Sequence, residues 1–245
     1  MSQSPPPHIL VTGGTRGIGA AIVDRLTARG ARVVAHGRSD MGQVIGGEVI
    51  GADLATPGAG DQLWDRALDR LDGQIDVLIN NAGVFEPIAV DASAEAWGAA
   101  WSRTMQINLQ ASADLCRRAV LHFRERATPG RIVNIASRAA HRGDSPAHWH
   151  YSASKAGMVA MTKSIARGYA AEGILAFVVC PGFVMTGMAA DYLSSRGGEA
   201  LLADIPLGRV AEPAEVASAA TYLALDAPAS MTGAVLDING ASYVR

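Results

Sequence analysis

Several short runs of this sequence are continuously apolar rather than alternately apolar and polar. Examples are VLIN at 77–80, RIVNIA at 131–136 and LAFVVC at 175–180. A strand that is apolar on both sides is buried on both sides, which is typical of a parallel sheet covered by helices on each face. Segments with helical periodicity or many alanines separate these runs. The sequence therefore predicts an α/β fold with a doubly wound parallel sheet.

We expect about seven strands in a single Rossmann-type domain. The strands are predicted over residues 8–12, 31–37, 48–54, 75–80, 130–137, 174–180 and 234–238. The helices are predicted over residues 17–28, 61–71, 94–126, 151–171 and 213–225. Ligands of such folds bind beyond the carboxyl ends of the strands, so functional side chains are expected there.

Two segments depart from this alternation. Only SDMGQVIGG, residues 39–47, lies before the third predicted strand. A parallel crossover normally takes about 10–12 residues or more, so we expect a loop or a single turn there. Residues 1–7 are expected to form a flexible tail, and no linker or repeat divides residues 8–245.

The charge balance argues against several classes of partner. The 245-residue chain has 21 lysines and arginines against 23 aspartates and glutamates, for a net charge of −2. Because there is no basic stripe, we expect no binding to nucleic acid or to an anionic membrane. The N-terminus lacks the pattern of a signal peptide, and no apolar stretch reaches the ~18 residues of a membrane span. We therefore expect a cytoplasmic protein.

No feature of the sequence indicates a metal site. Cys116 and Cys180 have neither the spacing of zinc ligands nor that of a disulfide framework, and we expect two buried thiols. The segment HWH at 148–150 offers two histidines without a convergent third ligand, so we assign no metal to it.

A glycine-rich segment, VTGGTRGIG at 11–19, follows the first predicted strand and opens the first predicted helix. Gly13, Gly17 and Gly19 let the backbone turn tightly and approach a pyrophosphate at the helix N-terminus, where free N–H groups favour anions. The spacing is G-x3-G-x-G, which differs from the G-x-G-x-x-G fingerprint. The segment predicts dinucleotide binding, with a plain strand-to-helix turn as the alternative.

Tyr151 and Lys155 lie four residues apart on a predicted helix, so their side chains share a face. A free tyrosine has a pKa of about 10, too high for efficient acid–base catalysis near neutral pH. A nearby ammonium lowers that pKa, so the pair can donate a proton to an alkoxide or accept one from an alcohol. A surface contact between the two side chains is the alternative.

The order of several motifs identifies a family. After TGGTRGIG come NNAG at 80–83, Asn108 in the predicted long helix, Ser137 at the end of the fifth strand, YSASK at 151–155 and PGFVMT at 181–186. This combination resembles the short-chain dehydrogenase/reductase family from about His8 to the C-terminus. The resemblance implies hydride transfer between a nicotinamide cofactor and a carbonyl or secondary alcohol.

The resemblance also implies roles for individual residues. Tyr151 resembles the general acid/base, with Lys155 lowering its pKa and binding the nicotinamide ribose. Ser137 would hold the substrate oxygen, and Asn108 would anchor a water in a proton relay. The remaining implied cofactor contacts are Gly13, Thr15, Arg16, Gly17 and Ile18 at the phosphates, Asp53 and Leu54 at the adenine, Asn80, Ala82 and Gly83 at the adenosine ribose, and Pro181, Gly182 and Thr186 at the nicotinamide.

The end of the second predicted strand bears on the choice of cofactor. NAD enzymes of this architecture usually carry Asp or Glu there to bind the ribose 2′-hydroxyl. This strand ends in HGRS at 36–39, without an acid. Arg38 and Arg16 are positioned to bracket a 2′-phosphate, so we predict a preference for NADP(H) over NAD(H). As alternatives, both arginines are solvated surface groups, or Asp40 neutralises Arg38.

Two segments are expected to wall the substrate. Residues 138–150 are unusually polar, which fits either a polar or acidic substrate or a solvated loop. Residues 183–207 carry Met185 and Met188 as adaptable apolar surface, and the glycine pair at 197–198 allows a lid to flex.

The nearest activity by pattern is that of β-ketoacyl-[acyl-carrier-protein] reductases. That subgroup tends to carry basic residues for its acidic carrier near the helix ends before the fifth and sixth strands. Here Thr128 and Glu172 stand in those places, partly compensated by Arg124, Arg126 and Arg131. A free small-molecule carbonyl or alcohol is therefore the favoured substrate, with the carrier-bound β-ketoacyl group as the alternative.

Two further expectations concern class and assembly. The competing class is a nucleotide-binding regulatory protein that has lost turnover, although all four catalytic positions are filled. The family resemblance implies a homotetramer or dimer formed through the two long predicted helices, 94–126 and 151–171.

Overall fold

The computed structural model describes residues 5–40, 44–186 and 198–245. Its strands are β1 His8–Val11, β2 Arg32–Gly37, β3 Glu48–Gly51, β4 Val77–Asn80, β5 Gly130–Ile135, β6 Ile174–Pro181 and β7 Val235–Ile238. Its α-helices are α1 Gly17–Ala28, α2 Ala59–Arg70, α3 Ala94–Met105, α4 Ala111–Glu125, α5 Ala139–Arg142, α6 Trp149–Tyr169, α7 Gly198–Ala203 and α8 Pro213–Leu225.

The strands form one sheet in the order β3-β2-β1-β4-β5-β6-β7, and every neighbouring pair is parallel. The strand order reverses between β1 and β4, which follow each other in the sheet although β2 and β3 lie between them in the chain. In doubly wound folds the ligand site lies at such a reversal, beyond the carboxyl ends of the strands. The predicted doubly wound sheet of seven strands is confirmed.

Helices cover both faces of the sheet, as the continuously apolar strands require. On one face α1 and α8 pack against each other and the sheet through Ile22, Val23, Leu26, Val216, Ala220 and Leu223. On the other face α2 and α4 contribute Leu63, Trp64, Ala67, Leu115, Ala119 and Phe123. These side chains are almost fully buried, so the core is two apolar layers separated by the sheet.

The predicted long helix over 94–126 is wrong in one respect. A π-helical turn, Gln106–Gln110, separates α3 from α4. Such turns insert one extra residue into a helix and are frequent at functional sites. The predicted asparagine, Asn108, is buried in this turn, where its amide pairs with the backbone of Val84. Apolar periodicity over the whole segment could not reveal a single inserted residue.

The connection between β2 and β3 agrees with the sequence where the structure describes it. Residues 38–40 and 44–47 form turns and bends without a helix, and residues 41–43 lie outside the described part. Two short helices, α5 and α7, were not predicted because four and six residues are too few to show a period. None of the helices described here is long and apolar enough to cross a bilayer. The boundary of the expected N-terminal tail at residue 7 stays a prediction.

Candidate active site

The turn between β1 and α1 has the backbone shape that a phosphate requires. Gly13 adopts a left-handed conformation with φ of 63°. A Cβ added to Gly19 would lie 1.9 Å from the carbonyl oxygen of Gly13, so no side chain fits there. At the start of α1 the N-cap, Arg16, makes no side-chain cap bond, which leaves the first N–H groups of the helix available. Free N–H groups at a helix N-terminus suit the pyrophosphate of a dinucleotide.

The side chains of Thr12, Asn81 and His36 hold this turn in place. None of the three was predicted to belong to the site. The Thr12 hydroxyl accepts hydrogen bonds from the N–H groups of Asn81 and Ala82, both at 3.0 Å. The Asn81 amide donates to the carbonyl oxygens of Thr12 and Gly13 at 3.1 and 3.0 Å. The His36 ring accepts from the N–H of Gly13 at 3.1 Å. The sequence did offer one signal for these residues: each lies at or next to the carboxyl end of a largely apolar predicted strand.

Arg16 and Arg38 lie at neighbouring points of the same edge. A Cβ on Gly37 would come within 2.8 Å of the Thr15 side chain, so the end of β2 touches the glycine turn. Arg16 and Arg38 follow these two contacting residues, and both are exposed. The geometry therefore suits the predicted pair of guanidinium groups around one anion.

Asp40 does not neutralise Arg38. Its carboxylate pairs with the guanidinium of Arg66 at 3.0 Å and accepts the N–H of Gly51 at 2.6 Å. The Gly51 hydrogen bond and then the Arg66 guanidinium hold the pKa of Asp40 below its usual value. Among the described residues, Arg38 forms no ion pair that would compete with a phosphate.

The residues predicted at the adenosine occupy different environments. Asp53 is exposed and Leu54 is buried just beyond β3. Asn80 is fully buried, and its amide donates to the Asn134 side chain at 2.9 Å and to the Cys116 sulfur at 3.3 Å. Its side chain therefore braces β4 against β5 and α4. Ala82 and Gly83 follow β4 at the carboxyl edge.

Ser137, Tyr151 and Lys155 converge at the carboxyl edge of β5. The Ser137 hydroxyl lies close enough to the Tyr151 phenol to act on its pKa. The Lys155 ammonium lies 6.0 Å from the centroid of the Tyr151 ring and donates to the carbonyl oxygen of Ile135 at 2.8 Å. The spacing of four residues on α6 thus places both side chains on one face, as predicted.

The two titratable groups of this cluster are shifted by burial. Burial raises the pKa of Tyr151 to about 12, while the neighbouring Ser137 hydroxyl opposes that rise. Burial also lowers the pKa of Lys155 to about 8, since the side chain is only 4% exposed. Lys155 is not among the groups that shift the Tyr151 pKa here, and the predicted lowering of that pKa by Lys155 stays a prediction.

Asn108 reaches the same cluster from the π-helical turn. Its side-chain oxygen accepts the N–H of Val84 at 2.8 Å, and its amide donates to the Ser154 hydroxyl at 3.2 Å. A Cβ on Gly83 would lie 3.3 Å from the Asn108 oxygen and 3.5 Å from the Lys155 nitrogen. The four predicted catalytic residues therefore lie around one point, beside the NNAG segment.

The predicted nicotinamide segment closes the other side of the cleft. Pro181 ends β6, and a Cβ on Gly182 would lie 3.0 Å from the backbone of Asn239 after β7. The methyl group of Thr186 would lie 3.2 Å from a Cβ on Gly17. Thr186 thus faces the start of α1 across the cleft.

The polar segment at 138–150 uses many of its polar groups internally. His148 stacks on Phe85 with ring centroids 3.8 Å apart, and its Nδ1 lies 2.7 Å from the Ser145 hydroxyl. Phe85 in turn meets the Tyr151 ring edge-on at 4.7 Å. His148 and Phe85 therefore form one wall next to the phenol, and the buried Nε2 of His148 has no hydrogen-bond partner among the described residues.

The described part of the second predicted wall segment, 183–207, is joined to the segment 138–150 through ion pairs. Arg142 binds Asp204, just after α7, at 2.8 Å, and the buried Arg138 approaches the same carboxylate at 3.4 Å. The Arg138 guanidinium also covers the Phe183 ring at 4.7 Å. Met188 and the first glycine of the predicted hinge at 197–198 lie outside the described residues, so the predicted lid stays a prediction.

One trio of potential metal ligands lies in the described part of the chain. Ligand atoms of His141, Cys180 and Asp237 come within 4.8 Å of one another. Burial raises the pKa of the Cys180 thiol to about 11, and Asp237 pairs with Arg245 at 3.0 Å. The carboxylate of the trio is thus engaged by an arginine, and the absence of a metal stays a prediction.

Comparison with known proteins decides the family. A family model described as enoyl-(acyl carrier protein) reductase matches residues 13–241. The chain belongs to the short-chain dehydrogenase/reductase family. As a member it is an oxidoreductase that acts on CH–OH groups with a nicotinamide cofactor. The alternative of a regulatory protein without turnover is accordingly set aside.

Curated relatives of this short-chain dehydrogenase/reductase match almost all of its length. The 3-oxoacyl-[acyl-carrier-protein] reductase of Vibrio cholerae serotype O1 is 35% identical over 242 residues, 96% of each chain. That of Escherichia coli strain K12 is 33% identical over 242 residues, again 96% of each chain. Among solved structures, ligand-free aldohexose dehydrogenase of Thermoplasma acidophilum superposes with a TM-score of 0.86 at 27% identity, covering 98% of this chain and 95% of its own.

Proposed function

We propose that this chain is an NADP(H)-dependent oxidoreductase that interconverts a carbonyl and a secondary alcohol of a small molecule. The observation that carries this proposal is the convergence of Ser137, Tyr151 and Lys155 at the carboxyl edge of β5, opposite the glycine turn. A phenol, a hydroxyl and an ammonium at one point are the groups that a carbonyl reduction requires.

Each group has a distinct task in this mechanism. The Ser137 hydroxyl holds the substrate oxygen, and the Tyr151 phenol donates its proton to that oxygen as negative charge develops there. The Lys155 ammonium stabilises the resulting phenolate. A nicotinamide cofactor, when bound, supplies or accepts the hydride. In the direction of alcohol oxidation the same phenolate accepts the hydroxyl proton.

Asn108 and its π-helical turn belong to the proton supply. The Asn108 oxygen and the Lys155 nitrogen both lie within 3.5 Å of where a Cβ on Gly83 would stand. We propose that a water held beside Asn108 replaces, through Lys155, the proton that Tyr151 gives up. A side chain at position 83 would fill the gap between the two groups.

The preference for NADP(H) rests on Arg16 and Arg38. Both are exposed beside the contact of Thr15 with Gly37, and Asp40 is engaged by Arg66. A guanidinium fork matches the geometry of a phosphate, and no acid at the end of β2 is present to bind a ribose 2′-hydroxyl.

The experiment that tests this function is nucleotide oxidation by the purified protein with NADPH and with NADH. The carbonyl panel contains an acetoacetyl thioester, free ketones, diketones and keto-sugars. We expect turnover of at least one free carbonyl class, with higher kcat/KM for NADPH. Turnover with NADH alone would refute the cofactor preference, and no turnover of any carbonyl with either nucleotide would refute the proposed reaction.

A second candidate, 3-oxoacyl-[acyl-carrier-protein] reduction, is favoured by the names of the relatives. The arginines that would bind an acidic carrier are engaged here. Arg124 pairs with Glu172 at 2.8 Å, and Arg126 pairs with Asp76 at 3.5 Å. Arg131 donates to the carbonyl oxygen of Leu223 at 2.9 Å.

The engaged arginines favour the free small molecule over the carrier-bound substrate. To separate the two candidates, the acetoacetyl group on a carrier protein is added to the panel and compared with the short thioester. A kcat/KM at least tenfold higher with the carrier would support the second candidate, and equal or lower efficiency would support the first.

We also propose a homo-oligomer that uses α3 and α6. In α3 only Thr104 is fully buried, and the exposed Trp149 at the start of α6, 52% exposed, meets Trp97 at 5.6 Å. A second copy of this chain would cover these indole rings. Sedimentation of the wild type should give a tetramer or a dimer, and Trp149→Glu should shift it towards the monomer. A monomeric wild type would contradict this assembly. The cytoplasmic location stays a prediction.

A further inference from the structure

A buried histidine in β2 links the glycine turn to the end of β3. His36 is 5% exposed and pairs in register with Ile50 of β3. The other residues of β2 are apolar except for Arg32 at its start. A buried histidine in an apolar strand lowers the stability of the fold unless both ring nitrogens form hydrogen bonds. The partners of these nitrogens therefore indicate the role of His36.

Three hydrogen bonds connect this residue to its two neighbours in space. The ring Nδ1 accepts the N–H of Gly13 at 3.1 Å, and the His36 carbonyl oxygen accepts the N–H of Gly14 at 2.8 Å. The ring Nε2 lies 2.9 Å from the carbonyl oxygen of Ala52. His36 therefore accepts hydrogen bonds from two consecutive N–H groups of the glycine turn. Its ring also contacts Ala52, the residue before Asp53.

The partners fix the chemical form of the ring. A backbone N–H can only donate and a carbonyl oxygen can only accept, so Nδ1 must be unprotonated and Nε2 must carry the proton. A protonated ring would carry hydrogen on both nitrogens and would oppose the Gly13 N–H. Burial lowers the pKa of His36, although the Ala52 hydrogen bond and the charge of Asp53 oppose that shift.

We propose that His36 is a positioning residue for the cofactor, which holds the left-handed Gly13 turn and the Asp53 end of β3 at a fixed separation. In this role the ring acts through the backbone of Gly13 and Ala52 and not by direct contact with the cofactor. It acts because Gly13 starts the turn that receives the phosphates, while Ala52 precedes the residues at the adenine. The inference rests on the proposed function, since it assumes a dinucleotide that spans both segments.

Two amide substitutions separate the two ends of this link. In His36→Asn the side-chain Oδ1 takes the place of Nδ1 and still accepts the Gly13 N–H, whereas in His36→Gln the Nε2 amide still donates to Ala52. His36→Leu keeps neither bond. The matched control is His122→Leu, because the His122 ring also accepts a backbone N–H, that of Ile75 at 3.2 Å, but lies at the amino edge of β4.

The readouts are the NADPH Kd from fluorescence titration, the kcat at saturating NADPH with the best carbonyl of the panel, and the thermal unfolding midpoint. We expect His36→Leu, which loses both ring bonds, to raise the Kd at least about tenfold, with kcat within about twofold. His36→Asn and His36→Gln each break one end of the link, so each should raise the Kd about three- to tenfold. His122→Leu should lower the midpoint without changing the Kd.

Two results would overturn the inference and leave the proposed function standing. In the first, the wild type binds NADPH and His36→Leu binds it equally well. In the second, Asn, Gln and Leu at position 36 weaken binding in proportion to their loss of thermal stability, as His122→Leu then also does, which marks a general packing effect. A wild type that binds no NADPH would overturn the proposed function and this inference with it.

Discussion

Replacing Arg38 with alanine should remove most of the preference for NADPH over NADH. In the structure this guanidinium is exposed at the end of β2, and the nearby Asp40 is held by Arg66 at 3.0 Å and by Gly51. The positive charge of Arg38 is therefore available to a 2′-phosphate. NADH lacks that phosphate, so its binding should not depend on Arg38.

The size of the effect follows from the bonds that would be lost. A hydrogen bond to a charged group contributes about 1.5–3 kcal/mol, which corresponds to about a 10- to 150-fold change in an equilibrium constant. We expect the kcat/KM for NADPH to fall within that range in Arg38→Ala, while that for NADH changes less than about threefold. The assay is initial-rate kinetics with both nucleotides at one saturating carbonyl concentration.

Two further variants sharpen this test. Arg29→Ala removes an exposed arginine that pairs with Asp226, at the opposite end of α1, and should leave both nucleotides unaffected. Arg66→Ala frees Asp40, whose charge should then reduce NADPH efficiency by about two- to fivefold, the range of an exposed ion pair. An unchanged ratio of NADPH to NADH efficiency in Arg38→Ala would refute the assignment of Arg38.

Three other predictions follow from the site and its helices. The rate of carbonyl reduction should fall as the pH rises through about 8, because Lys155 loses its proton there while Tyr151, with a pKa of about 12, keeps its own. The pH profile of kcat/KM for Lys155→Arg should lack that decline. A wild-type rate that stays level to pH 10 would contradict the prediction. Gly19→Ala should weaken NADPH binding at least about tenfold, because its Cβ would lie 1.9 Å from the Gly13 oxygen; titration of NADPH fluorescence measures it, and an unchanged Kd would contradict the tight turn. Gly98→Ala, in exposed helix α3 with nothing within 4 Å of the new Cβ, should instead stabilise the fold by about 0.5–1 kcal/mol; denaturant unfolding measures it, and a loss of stability would contradict it.

The sheet was predictable because its determinants are local. Continuously apolar runs such as VLIN at 77–80 indicate strands buried on both faces, and the structure confirms them in a parallel sheet. The helix predicted near 213–225 has those bounds in the structure, where Pro213 follows the N-cap residue Glu212. The π-helical turn at 106–110 was not predicted, because one inserted residue leaves the surrounding apolar period almost intact.

The candidate site was predictable where a residue type and its spacing carry the chemistry. Tyr151 and Lys155 share a helix face because they are four residues apart, and their convergence with Ser137 follows from the carboxyl ends of parallel strands. The ion pairs and hydrogen bonds within the site could not be predicted, because they join residues that are far apart in the sequence. Asp40 binds Arg66 rather than Arg38, and the ring of His36 reaches both Gly13 and Ala52. Neither pairing leaves a mark in a single sequence.

The burial of Tyr151 and Lys155, and its effect on their pKa values, could not be predicted from the sequence either. The spacing of Tyr151 and Lys155 indicates a lowered phenol pKa, yet burial raises it to about 12 and lowers that of Lys155 to about 8. Desolvation depends on how closely the surrounding segments pack, which only the folded chain defines. In the proposed mechanism this phenol is the proton donor for carbonyl reduction.

The most direct test of the account compares Tyr151→Phe with Tyr169→Phe at the far end of α6. Both changes remove one phenol oxygen from the same helix, but only the first removes the proton donor. We predict that Tyr151→Phe lowers kcat for carbonyl reduction by at least about 100-fold with an NADPH Kd within about threefold of wild type. Tyr169→Phe should retain the wild-type kcat. Full turnover in Tyr151→Phe would contradict the central claim that this phenol protonates the substrate oxygen.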